Sequence, residues 1–96
     1  MVSVKITKST NSGKKLMAIF SFDDGKTKTV HFGQAGASDY TKNKDPERKK
    51  LYLARHSSTE NWDDYKSAGS LSRYILWNKT TLSASIADYK TKFNLK

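Results

Sequence analysis

The sequence predicts an α+β fold: an N-terminal three-stranded antiparallel β-meander followed by about three helices packed on the sheet. Three observations carry this. Up to about residue 32, apolar side chains alternate with polar ones at a period of two. Beyond residue 44 the apolar spacing lengthens to three and four, and helix-start signals appear. Strands and helices therefore occupy separate stretches instead of alternating, which points to helices gathered on one face of an antiparallel sheet.

Each element has its own justification. Val2, Val4 and Ile6 alternate with Ser3, Lys5 and Thr7, the pattern of a half-buried strand. Asn11-Ser12-Gly13 reads as a turn. Leu16, Ala18, Phe20 and Phe22 then share one face, with Met17, Ile19 and Ser21 on the other. Two usable faces suggest a central strand. Asp23-Asp24-Gly25 reads as a hairpin turn. The third strand follows over Lys26 to Phe32. Gly33-Gln34-Ala35-Gly36-Ala37-Ser38 breaks the pattern and reads as a tight, exposed loop. Asp45-Pro46-Glu47 marks a helix start, with Asp as N-cap, Pro at the first helical position and an acid in the first turn. That helix is expected to run to about His56, with Leu51 and Ala54 pointing inward. Residues 57 to 69 read as a polar connection in which Trp62 and Tyr65 plug onto the core. Ser70 is expected to cap a second helix from Leu71 to Trp77. Thr80 or Thr81 is expected to cap a third, along which Leu82, Ile86, Tyr89 and Phe93 form an amphipathic stripe.

With 96 residues, the chain corresponds to one domain: meander (1–32), Gly-rich loop (33–44) and helical part (45–96). Mean hydropathy is low, at -0.77. Two Trp, five Tyr and four Phe nevertheless supply enough apolar area for a modest core and argue against disorder. There is no cysteine, which excludes disulfides, thiolate metal sites and cysteine nucleophiles. No apolar run is long enough to span a bilayer and no signal peptide is apparent. The expectation is a complete intracellular protein without membrane attachment or cofactor.

Charge is the strongest functional signal. Eighteen Lys and Arg stand against nine Asp and Glu, a net +9. This favours a polyanionic partner, nucleic acid before an acidic protein. The cations are spread along the chain, so only folding can gather them, and dispersed charge suits phosphate contact better than base reading. The densest stretch runs through Lys42, Lys44, Arg48, Lys49, Lys50 and Arg55 to His56. On a helix, Arg48, Tyr52 and Arg55 form one stripe, flanked by Lys49 and Lys50. These residues, with Arg73 and Lys79, are the candidate nucleic-acid contacts. Lys5, Thr7, Thr27, Thr29 and His31 form an outer sheet face that reads as solvated, without the aromatic pair of sheet-type RNA binders. Trp62, Trp77, Tyr74 and Tyr89 are candidates for stacking on bases, but large aromatics at helical spacing read more readily as core.

Catalytic signals are sparse. Gly33-Gln34-Ala35-Gly36 lacks the Gly-Lys-Ser/Thr ending of a phosphate-binding loop and fails as a dinucleotide fingerprint. Asp39, Glu47 and Lys49 match a loose nuclease spacing whose carboxylates would hold Mg²⁺. That pattern belongs on a strand, whereas Glu47 follows Pro46 at a helix start. His31 and His56 stand apart with no ligand cluster, and neither Ser70 nor Ser72 has a nucleophile signature. No catalytic or metal-binding residue is assigned. A nuclease remains the third reading, behind a nucleic-acid binder and a structural or adaptor protein docking on an acidic partner.

A string of phrases carries a resemblance: His-Phe-Gly-Gln-Ala-Gly-Ala-Ser-Asp-Tyr-Thr (31–41), Lys-Asp-Pro-Glu-Arg-Lys (44–49), Tyr-Leu-Ala-Arg-His (52–56), Glu-Asn-Trp (60–62), Ala-Gly-Ser-Leu-Ser-Arg-Tyr-Ile-Leu-Trp-Asn-Lys (68–79) and Ser-Ile-Ala-Asp-Tyr-Lys (85–90). Over roughly residues 30–93 the chain resembles a family of small, poorly characterised proteins of large double-stranded DNA viruses infecting amoebae and algae. The resemblance implies a viral setting, in the host cytoplasm, viral factory or nucleus, where a small basic protein packages, coats or accompanies DNA, or enters the virion. It implies no catalytic residue.

Overall fold

The computed structural model describes residues 1–96 and has the expected α+β architecture. Strands β1 (Ser3–Lys8), β2 (Lys14–Ser21) and β3 (Thr27–Gln34) form an antiparallel sheet in the order β1-β2-β3. Helices α1 (Tyr40–Asn43), α2 (Pro46–His56), α3 (Ala68–Leu71) and α4 (Leu82–Lys92) follow, and a π-helical segment, Ser72–Leu76, continues α3 directly. No helix is long and apolar enough to cross a membrane.

The two-faced β2 is central, as its sequence requires. Val4 pairs with Phe20 and Ile6 with Ala18 on one side; Phe32 pairs with Leu16 and Val30 with Ala18 on the other. Val4, Ala18, Phe20 and Phe32 are buried against Leu71, Ile75, Leu76 and Tyr89. One sheet face thus meets α3, the π segment and α4 in a single core. Each buried Val, Leu, Ile or Phe among them contributes about 1.5–3 kcal/mol by leaving water. The opposite face carries Lys5, Thr7, Met17, Ile19, Thr29 and His31, none of them buried.

Both hairpin turns form where the sequence places them. Gly13 N–H donates to Asn11 Oδ1 in the first. Gly25 adopts φ +84° in the second, where Phe22 N–H donates to the Lys26 carbonyl. The Gly33 region departs from expectation. β3 continues through Gly33 and Gln34, so these residues are strand and not exposed loop. Gly33 has φ +78°, and a Cβ there would lie 2.6 Å from Leu76 Cδ1. The glycine is needed because the π segment packs on the strand at this point. The loop after it contains α1, capped by Asp39, whose side chain accepts from Thr41 N.

Helix α2 begins on Asp45 and Pro46 and ends at His56, as expected. Its orientation differs from expectation. Leu51 is 63% exposed and Ala54 is also exposed, while Lys49, Tyr52, Leu53 and His56 face the body. The expectation that Leu51 and Ala54 point inward is therefore overturned. Rings and long alkyl stems cover more area against the body than a Leu-Ala pair would, and the residues carrying them lie on the opposite side of the helix. The cap of α3 also moves. Ser67, not Ser70, caps it, accepting from Ser70 N, and the buried Ser70 hydroxyl donates to the Asn61 carbonyl. At the end of the π segment Trp77 N–H reaches back to the Ser72 carbonyl. Asn78 braces this wide turn, its Nδ2 donating to the Tyr74 carbonyl and to Asp88.

Thr81 caps α4 by accepting from Ala84 N. Tyr89 is fully buried and its hydroxyl donates to the Tyr65 carbonyl at 2.6 Å. Leu82, the first residue of the expected stripe, is 36% exposed. Asn94 takes φ +55°, which turns the chain back, and Lys96 then pairs with Val2 and Val4 along the outer edge of β1. An otherwise open strand edge is thereby partly covered.

Candidate nucleic-acid interface

The site is built where α2 faces the start of β2 and the end of β3 across a cleft. No residue of α2 is fully buried, so the helix stands on a few side chains. Tyr52 is stacked nearly parallel on Trp77, with centroids 4.5 Å apart and planes at 6°, and the His56 ring lies 4.4 Å from it. Lys49 Nζ donates to the Asn78 carbonyl at 2.8 Å and sits 5.0 Å from the Tyr40 ring. Between these supports the helix stands off the body and leaves an open cleft of about 440 Å³, with an adjoining hollow of about 270 Å³. Tyr52, Arg55 and Trp77 line both, as do Ala37 and Ser38 from the loop after β3.

The hollow is walled by Arg48 and Arg55, two helical turns apart on the same flank of α2, with Leu51 between them. Neither arginine is paired with a carboxylate; only Lys15, Lys26 and Lys66 among all Lys and Arg side chains form such pairs. The larger cleft adds Lys14, His56, Glu60 and Ser72. Its floor holds an ion pair, Lys15 Nζ to Asp39 Oδ2 at 2.5 Å, with Asp39 nearly inaccessible. Burial pushes the Asp39 carboxyl up, but hydrogen bonds from Lys15 and Thr41 and the Lys15 charge outweigh it, and the net shift is downward.

The structure separates the nine predicted contact residues. Lys42, Lys44, Arg48, Lys50, Arg55 and Lys79 are exposed. The stripe expected on α2 is rearranged: Arg48 and Arg55 share the cleft flank, Tyr52 is turned in under them, and Lys50 falls on the far flank. Lys49 is not a free phosphate contact but a tether, and its ammonium is pushed down by burial and by repulsion from Arg73 and Lys79. His56 is half-buried in the aromatic stack, with Nδ1 3.9 Å from Glu60. The Arg73 guanidinium lies over Trp62 and Tyr74, 5.0 and 4.6 Å from the ring centroids. Lys49, Arg73 and Lys79 are thus brought into one electrostatic neighbourhood on the other side of α2 from the arginine-walled hollow.

Trp77, whose sequence context favours core over base stacking, packs half-buried against the core and also lines both hollows. The π-helical turn is responsible: its extra residue per turn presents Ser72 and Trp77 to the same cleft, and such turns frequently occur at functional sites. Lys14 and Lys15 carry no signal beyond their charge. Asp39 and Glu47, the carboxylates of the loose nuclease spacing, are placed differently. Asp39 is buried with both oxygens engaged by Lys15 and Thr41, while Glu47 is exposed on the first turn of α2. No group of three or more His, Asp or Glu is arranged to hold a metal ion.

No solved structure matches the chain. A curated relative, the uncharacterized protein L851 of Acanthamoeba polyphaga mimivirus, is 35% identical over 80 residues, spanning 77% of this chain and 80% of the relative. Residues 4–56, from β1 to the end of α2, match a family of unknown function, DUF5754. With more than half of its length matched, including the sheet and the helix that walls the cleft, and with a viral relative aligned over most of it, the chain belongs to the family of unknown function DUF5754.

Proposed function

We propose that this is a non-enzymatic nucleic-acid-binding protein that contacts phosphates with little sequence preference and accompanies the DNA of a large virus. One observation carries the reading: Arg48, Lys50 and Arg55 on α2, and Lys42 and Lys44 just before it, are exposed cations without carboxylate partners. Exposed unpaired cations release counterions from a nucleic acid at little desolvation penalty. Arginine supports phosphate contact especially well, since its planar fork matches phosphate oxygens. The viral relative supports the setting.

The test is fluorescence anisotropy with labelled duplex DNA, single-stranded DNA and RNA at several salt concentrations. Log K is expected to fall linearly with log salt. In R48Q/K50Q/R55Q affinity is expected to drop alike for all sequences, and the slope on duplex to shrink by about 0.9 for each phosphate that is no longer neutralised. Lys49 is left intact because its removal would free the end of α2. Unchanged affinity in the variant would take α2 out of the interface. An absence of binding to any nucleic acid at low salt would sink the reading.

A second reading, docking on an acidic protein, draws on the uncovered sheet face, where half-buried Met17 and Ile19 lie beside Lys5. Retention of an acidic partner by a protein that ignores nucleic acid would favour it.

A further inference from the structure

We infer that the cleft beneath α2 receives a single unpaired nucleotide of a strand, its base against the Tyr52–Trp77 stack and its phosphate between Arg48 and Arg55. The inference deepens the nucleic-acid reading and depends on it. A surface that only neutralises phosphates needs no aromatic rings and no concavity, yet here both adjoin the unpaired arginines.

Four features converge. The cleft, about 440 Å³, falls within the size range of small-ligand sites, and the adjoining hollow, about 270 Å³, extends it. Tyr52 and Trp77 line both spaces and are already stacked nearly parallel; with His56 packed on Tyr52, a third flat ring would extend the stack from the Trp77 side. Arg48 and Arg55 stand on the same flank of α2 at the mouth of the hollow, with free guanidinium groups. The π-helical segment holds Trp77 and Ser72 toward this space, and Gly33 is what lets that segment close on β3. Glu60 lines the larger cleft beside His56 and not the arginine-walled hollow, so the anionic part of a ligand is directed to the arginines.

The consequence is a strand preference. A base in a duplex is paired and stacked on its neighbours and reaches these rings only if it is flipped out. An unpaired base reaches them freely. A single strand should therefore bind more tightly than a duplex with the same number of phosphates, and a strand without bases should lose that advantage.

The experiment uses the intact protein and three labelled probes of equal phosphate number: oligo-dT, the same length as an abasic strand, and a duplex. Anisotropy is expected to rank oligo-dT roughly 10-fold or more above the abasic strand, the scale of one stacked base. In parallel, ¹H–¹⁵N spectra are recorded with dTMP, dAMP and inorganic phosphate. The Trp77 indole signal is expected to shift with both nucleotides and not with phosphate, while the Trp62 indole stays in place. R48Q/R55Q, altered only at exposed positions, is expected to abolish the nucleotide shifts. Y52L is expected to equalise oligo-dT and abasic affinities; should it fail to fold, the wild-type spectra still decide. Equal affinity for all three probes with an unmoved Trp77 overturns the cleft and leaves phosphate binding standing. A cleft that takes dTMP but no longer strand would limit the ligand to free nucleotides and overturn the strand assignment. No binding to any probe removes both readings.

Discussion

At the scale of single residues, the Lys15–Asp39 pair shows how a charge can hold a site together without serving it. Asp39 receives Lys15 at 2.5 Å and caps α1 through Thr41, tying β2 to the loop that borders the cleft. Its carboxyl is held below the usual aspartate range, so the pair's contribution is fully present above a pH of about 3.9 and lost as pH falls through the lower folded value. Urea unfolding should therefore show stability dropping below about pH 4, and D39N should flatten that drop. The same substitution should cost about 3 kcal/mol at neutral pH, because a nearly buried lysine loses its partner. An unaltered acid profile in D39N would assign the pH response to other carboxylates. Gly33 is the complementary case, a residue required for what it lacks. Its positive φ strains any side chain, and a Cβ would meet Leu76 Cδ1 at 2.6 Å, so Leu76 would have to move.

At the scale of elements, α2 is the least anchored and the most exposed. It buries no residue completely and is held by Tyr52 on Trp77 and by Lys49 on Asn78, whereas β2 carries the fully buried Ala18 and Phe20. Local opening should follow that contrast. Native-state hydrogen exchange is expected to release the α2 amides well before those of β2, and saturating nucleic acid to slow α2 selectively. Equal protection of α2 and β2 in the free protein would mean that the few supports suffice to couple the helix to the core. The boundaries of α2 were legible because Asp45, Pro46 and Glu47 act locally. Its rotation was not, since an inward Leu51 and Ala54 would be the ordinary reading of its apolar residues, and only the position of Trp77 draws Tyr52 and His56 inward instead.

At the scale of the whole molecule, the net +9 is mostly unpaired. Self-repulsion of this kind works against the compact state and is screened by salt. Thermal unfolding is expected to shift upward as ionic strength rises from low to physiological values, over the same range in which nucleic-acid affinity falls. A melting temperature indifferent to salt would show that the folded arrangement keeps its cations far enough apart to escape repulsion.

The meander, its turns, the start and end of α2, the Asp45 cap and a cap at Thr80 or Thr81 were legible in the chain itself, since each rests on neighbours within a few residues, and the positive balance follows from composition. The sequence also determined which residues are basic, but not which of them face outward together. Only long-range contacts make Lys49 a tether, lay Arg73 on aromatic rings, draw Gly33 into β3, and let a π-helical turn set Trp77, packed against the core, at the wall of a cleft. Those outcomes depend on contacts between residues far apart in the chain, such as Gly33 with Leu76, Tyr52 with Trp77 and Lys49 with Asn78. Periodicity and capping report only on the local chain and are silent about such pairs.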